Sequence, residues 1–123
     1  MKKIMLVGTE TSISQEIQRG LSKEYVVLNS SRGLRALDLL RLFEPEALIL
    51  LKTSESSDFQ RWVDRTRSIS AGQNIPILLW APKGDSLQNV SDPNLHALPT
   101  ALTAPILRAI LKGLLNHEAA LAR

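Results

Sequence analysis

Glu44-Pro45-Glu46-Ala47-Leu48-Ile49-Leu50-Leu51 is the stretch on which the fold turns. Proline breaks the helical pattern that precedes it, and five apolar residues then follow without a polar one between them. A strand with one wet face alternates apolar and polar side chains. A strand apolar at every position is covered on both faces, as strands of a parallel sheet are. Working outward, residues 3–7, 26–28 and 75–80 read the same way, and 95–98 is a weaker fifth candidate.

The segments between these runs change to a helical period. Ile13, Ile17 and Leu21 form one stripe, and Leu34, Leu37, Leu40 and Phe43 a second. Phe59, Trp62, Val63, Thr66 and Ile69 form a third, and Ile106, Leu107, Ile110, Leu111, Leu114 and Leu115 the last. Capping signals agree: Ser12 or Ser14, Asp58, and Thr103 ahead of Ala104-Pro105 suit helix starts. Gly33 opens the second helix and Pro45 ends it. Strands alternating with helices predict a five-stranded parallel sheet with helices on both faces, a three-layer α-β-α sandwich. The segment 82–93 is polar and rich in breakers, which leaves room for a short or degraded fourth helix.

The 123 residues suit one domain spanning 1–123, with a helix-favouring C-terminal run that fits the N-terminal part of a longer chain. With no cysteine, thiolate metal sites and cysteine nucleophiles are excluded, and a reducing, cytoplasmic setting is expected. No apolar run is long enough for a signal peptide or a membrane span. The net charge of +3 comes from 15 basic and 12 acidic residues scattered along helices, so direct nucleic-acid contact is not expected.

Several stretches carry a family likeness. Residues 26–40, with their Ala36-Leu37 pair, Glu44-Pro45 before an apolar strand, Asn74-Ile75-Pro76-Ile77-Leu78-Leu79, and Leu98-Pro99 together resemble the receiver domains of two-component response regulators, which have a flavodoxin-like fold. The likeness covers nearly the whole chain. It implies a phosphorylation site, and each of its positions departs from what the chemistry needs. Where the family has an acidic pair that holds magnesium through hard oxygen ligands, this chain has Gly8 and Thr9, with Glu10 next. Leu51 stands where an aspartate would accept the phosphoryl group, and a leucine has no oxygen to do so. Ala81 replaces the hydroxyl residue and Leu98 the lysine. The resemblance is thus to a degenerate pseudo-receiver that needs no cofactor. It also implies a cis peptide bond between Leu98 and Pro99.

Other motifs have bland readings beside functional ones. Residues 8–14 follow a strand and open a helix, where backbone N–H groups can cradle a phosphate. Together with Asn29-Ser30-Ser31-Arg32, this stretch resembles the start of a short-chain dehydrogenase, but Ser12 and Ser14 stand where the dinucleotide fingerprint needs glycines. His96 and His117 have no third ligand at metal-binding spacing. Asp58 reads as a cap, and Asp64 as a partner for Arg61, Arg67 or Ser68 on the helix surface. Trp80 either fills the volume of the vanished site or serves as a binding anchor, and Trp62 belongs to the core.

The expected function is a non-enzymatic, phosphorylation-independent signalling module that docks on a protein partner or on itself. Alternatives are the N-terminal regulatory domain of a longer transcription regulator or pilus- or motility-associated ATPase, and a binder of nucleotide or small phosphate at the loop 8–14. The docking face expected is the last strand and last helix. On that helix Leu107, Ile110, Leu111 and Leu114 face the sheet, and Ile106 or Leu115, at opposite edges of the stripe, joins Leu87 and Val90 in an exposed apolar patch.

Overall fold

The computed structural model describes residues 2–8, 12–30, 34–51, 59–80, 92–99 and 101–121, with the backbone alone at 12, 13, 34, 59, 60 and 116–121. Its elements are β1 (Lys2–Val7), α1 (Ser12–Leu21), β2 (Tyr25–Ser30), α2 (Leu34–Phe43), β3 (Ala47–Leu51), α3 (Phe59–Arg67), the 3₁₀ turn η1 (Ser70–Gly72), β4 (Ile77–Trp80), β5 (Leu95–Ala97) and α4 (Ala104–Leu121). The strands form one parallel sheet in the order β2-β1-β3-β4-β5. This is the flavodoxin-like order. The winding reverses between β1 and β3, so the C-terminal ends of those two strands border the crevice where such folds bind ligands.

Two cores follow from the alternation of side chains across the sheet. Ile49 and Leu51 of β3 point to one face, where they pack with Ile17 and Leu21 of α1 and Leu107, Leu111 and Leu115 of α4. Leu48 and Leu50 point to the other, against Ala36 and Leu40 of α2 and Val63 of α3. Every residue of β3 is buried, as its unbroken apolar run predicts.

Element ends differ from the sequence reading in instructive ways. The helix before β3 stops at Phe43, two residues ahead of Pro45. Glu44 has φ 50° and its N–H donates to the Leu40 carbonyl at 3.1 Å, a left-handed residue closing the helix. The third helix ends at Arg67, and Ile69, expected on its stripe, is instead buried at the start of η1. Thr103 caps α4 as expected: its hydroxyl accepts from the Ile106 N–H at 3.4 Å and its carbonyl from the Leu107 N–H at 3.0 Å. Gly33, Asp58 and residues 82–91, with the expected fourth helix, lie outside the described residues.

Arg67 holds the lower corner of the sheet together. Its Nε and Nη2 donate to the two carboxylate oxygens of Asp92 at 2.8 Å each. Its Nη1 donates to the carbonyls of Gly72 and Ile75 at 2.8 and 2.6 Å, and Nη2 also to that of Asn94 at 3.3 Å. The end of α3, the entry to β4 and the entry to β5 are therefore tied by one guanidinium. Arg67, one of the three partners that the sequence offers Asp64 beside Arg61 and Ser68, turns its guanidinium into this fork.

Candidate functional site

Gly8 leaves β1 and Leu51 ends β3, side by side at the crevice. The Gly8 N–H donates to the Ser30 carbonyl at 3.0 Å, so this amide belongs to the sheet and is not available to a phosphate. A Cβ on Gly8 would sit 2.8 Å from the Leu51 Cβ and 3.1 Å from its carbonyl oxygen. The glycine is there because Leu51 comes so near. A carboxylate side chain at position 8 would force the two strand ends apart.

Leu51 is 2% exposed. Leu98 is buried in the same cluster, and its N–H donates to the Leu79 carbonyl at 2.8 Å. Trp80 is paired with Leu51 across β3 and β4, is half-buried and packs on this cluster, in keeping with a space-filling role. Three positions that the sequence aligns with a polar site, Gly8, Leu51 and Leu98, are thus drawn into one apolar core. Thr9, Glu10 and Ala81 lie outside the described residues. The Leu98–Pro99 bond is trans, against expectation. Leu98 carries no charge that must be turned toward a phosphoryl group, and its side chain packs inward with the core.

The candidate docking face needs a correction. Leu115 is 4% exposed, whereas Ile106 is 41% exposed. The buried arc of α4 is Ala104, Leu107, Leu111 and Leu115, with Ile110 and Leu114 half-buried. At about 100° per residue, this arc is rolled roughly 70° from the stripe centre read off the sequence. The cause is Ala104, which abuts Gly20 of α1: a Cβ on Gly20 would run into that of Ala104. This close approach rolls α4 toward α1, buries Leu115 and leaves Ile106 outside. Leu87 and Val90 lie outside the described residues.

His96 is half-buried, and its Nε2 is 2.8 Å from the Asn94 Oδ1, a local contact at the entry to β5. Trp62 is half-buried against the second core. Asp92 was missed by sequence reasoning. Its carboxyl is held below the ordinary carboxylate range, first by the hydrogen bonds from Arg67, which outweigh burial. No helix among the described residues is long and apolar enough to cross a membrane.

No protein-family model and no characterised protein sequence matches the chain. Solved structures do. A response regulator receiver modulated diguanylate cyclase from Pelobacter carbinolicus is 18% identical with a TM-score of 0.76, over 99% of this chain and 98% of that one. The receiver domain of the sensor histidine kinase PA1611 from Pseudomonas aeruginosa PAO1, described with magnesium in its active site cleft, is 17% identical with a TM-score of 0.76, over 94% and 98%. The anti-anti-sigma factor PhyR from Bartonella quintana is 14% identical with a TM-score of 0.73, over 98% of this chain and 50% of that one. At these identities the likeness is one of fold: the chain has the architecture of response-regulator receiver domains.

Proposed function

We propose that the chain is a receiver-like signalling module that performs no phosphoryl transfer and acts through protein contacts, in the cytoplasm and without enzymatic activity of its own. The observation that carries this reading is Leu51, 2% exposed at the end of β3 and roofed by a glycine. Phosphoryl transfer to a receiver needs an oxygen nucleophile at that strand end and a metal held by oxygen ligands beside it. Leucine provides no nucleophile, and Gly8 has neither a carboxylate nor the space for one.

Contacts with a partner are then made with the scaffold in one fixed form. The exposed Ile106, with the half-buried Ile110 and Leu114, forms an apolar strip on α4 suited to a protein surface. A regulatory domain within a longer chain is a second reading of the same surface, favoured by PhyR, in which the matching part is half of the chain. Incubation with acetyl phosphate and magnesium should leave the intact mass unchanged, and beryllofluoride with magnesium should leave the Trp80 fluorescence unmoved. A phosphorylated aspartate in the mass spectrum would overturn the proposal.

A further inference from the structure

A cleft of about 330 Å³ opens between α1 and α4, with Glu16, Arg19 and Lys23 on one rim and Pro105 and Arg108 on the other. Its floor is the Gly20–Ala104 approach, where the two helices meet with almost no side chain between them. Charge is therefore carried by the rims. Arg19 stands on α1 and Lys23 in the turn just past it, both lining the cleft, and Arg108 and Lys112 stand four apart on α4. The α4 pair, at this spacing, shares one helix face, about 6 Å apart.

One carboxylate already reaches this ladder. Glu24, just past α1, lies 4.0 Å from Arg108 and 3.9 Å from Lys112. These are ion pairs too long for hydrogen bonds, open to solvent and easily exchanged. Arg19 and Lys23 have no acidic partner within ion-pair distance among the described residues.

We infer that the groove between α1 and α4 docks an acidic segment of a partner protein, with carboxylates at helical spacing over two turns. The inference rests on the reading that the domain works through protein contacts, and it adds a second contact face. Ile106 and Arg108 are two residues apart, so they project from α4 roughly 160° apart. A protein segment fits better than a nucleic-acid strand because Glu16 and Glu24 bracket the cations, eight residues apart. A backbone with a charge at every step would meet both acids, whereas a protein segment can place neutral or basic residues there.

The test uses the isotope-labelled domain and three probes: an alanine-based helical peptide with three glutamates at four-residue spacing, its scrambled version, and a short oligodeoxythymidylate of equal charge. The ladder peptide should give saturable amide shifts confined to the residues around Gly20, Lys23 and Arg108, weaker for the scrambled peptide. The double variant R19E/K23E, with both positions exposed, should weaken binding about tenfold without changing the melting temperature, because like charges would face the peptide. E24Q removes the competing carboxylate and should tighten binding about twofold. E44Q, the same change of charge at a remote exposed position, should not. Shifts scattered over the surface, or equal tightening by E24Q and E44Q, would overturn the groove. Tighter binding of the oligonucleotide there would overturn the acidic partner. These outcomes leave the absence of phosphoryl transfer, tested separately by acetyl phosphate, where it stands.

Discussion

Arg67 places all five of its N–H donors on acceptors, a complete use of the guanidinium that sequence spacing does not reveal. Its side chain is 17% exposed and that of Asp92 7%, so losing either partner leaves polar groups without water. Arg67→Met takes their donor from the Gly72 and Ile75 carbonyls and leaves the Asp92 carboxylate with the Asn94 N–H and no cation, and should destabilise the domain by about 3 kcal/mol in urea denaturation. Asp92→Asn keeps a neutral acceptor and should destabilise it by less, about 1–2 kcal/mol. The pH dependence has a definite sign. The folded carboxyl of Asp92 titrates below its unfolded value, so its contribution is complete above the unfolded pKa of about 3.9 and fades as pH falls through the folded one. The stability gap between wild type and Asp92→Asn should therefore close on acidification from neutral pH. A gap that stays constant to the lowest pH at which the domain folds would refute this account.

The contact between α1 and α4 rests on a glycine against an alanine, and a double-mutant cycle can isolate it. Gly20→Ala raises helix propensity by up to about 1 kcal/mol, yet its new Cβ meets Ala104. The overpacking, about 1–3 kcal/mol, should win. Adding Ala104→Gly makes room, so the double variant should be more stable than the sum of the two single effects predicts; additive effects would deny the contact. Nothing in the sequence brings positions 20 and 104 together, and the roll of α4 that follows from their meeting was hidden with it. The strand β3 was plain because five apolar residues follow one another without alternation. At three residues on the sheet edge, β5 has too few to make a pattern. The end of α2 was foreseen from Pro45, but the residue that closes the helix is Glu44, whose left-handed backbone is no part of its ordinary propensity.

Across the molecule, the residues at the crevice were more legible than the surface. That Gly8, Leu51 and Leu98 carry no side-chain oxygen or charge is visible one residue at a time, while the packing of Leu51 with Leu98 in one core, and of Gly8 against Leu51, is a property of the folded sheet. Exposure on α4 depended on which neighbour the helix rolls toward, and a stripe drawn from large apolar residues overlooked the small Ala104. The two edge residues of that stripe now predict opposite results. Leu115 is 4% exposed, so Leu115→Glu buries a charge in the first core and should unfold the domain. Ile106 is 41% exposed, and Ile106→Glu should change stability by no more than about 0.5 kcal/mol. The surroundings of Ile106 are smooth and apolar: Ala109 and Gly113 are exposed beside it, Gly113 with open space above its Cα, and Ile110 and Leu114 are half-buried. A glutamate in the middle of such a strip would have to be desolvated unpaired in any interface formed there. If the strip is a contact face, Ile106→Glu abolishes self-association in light scattering, or partner capture in a pull-down, while the melting temperature holds. Association that persists in this folded variant would remove α4's apolar strip from the contact surface.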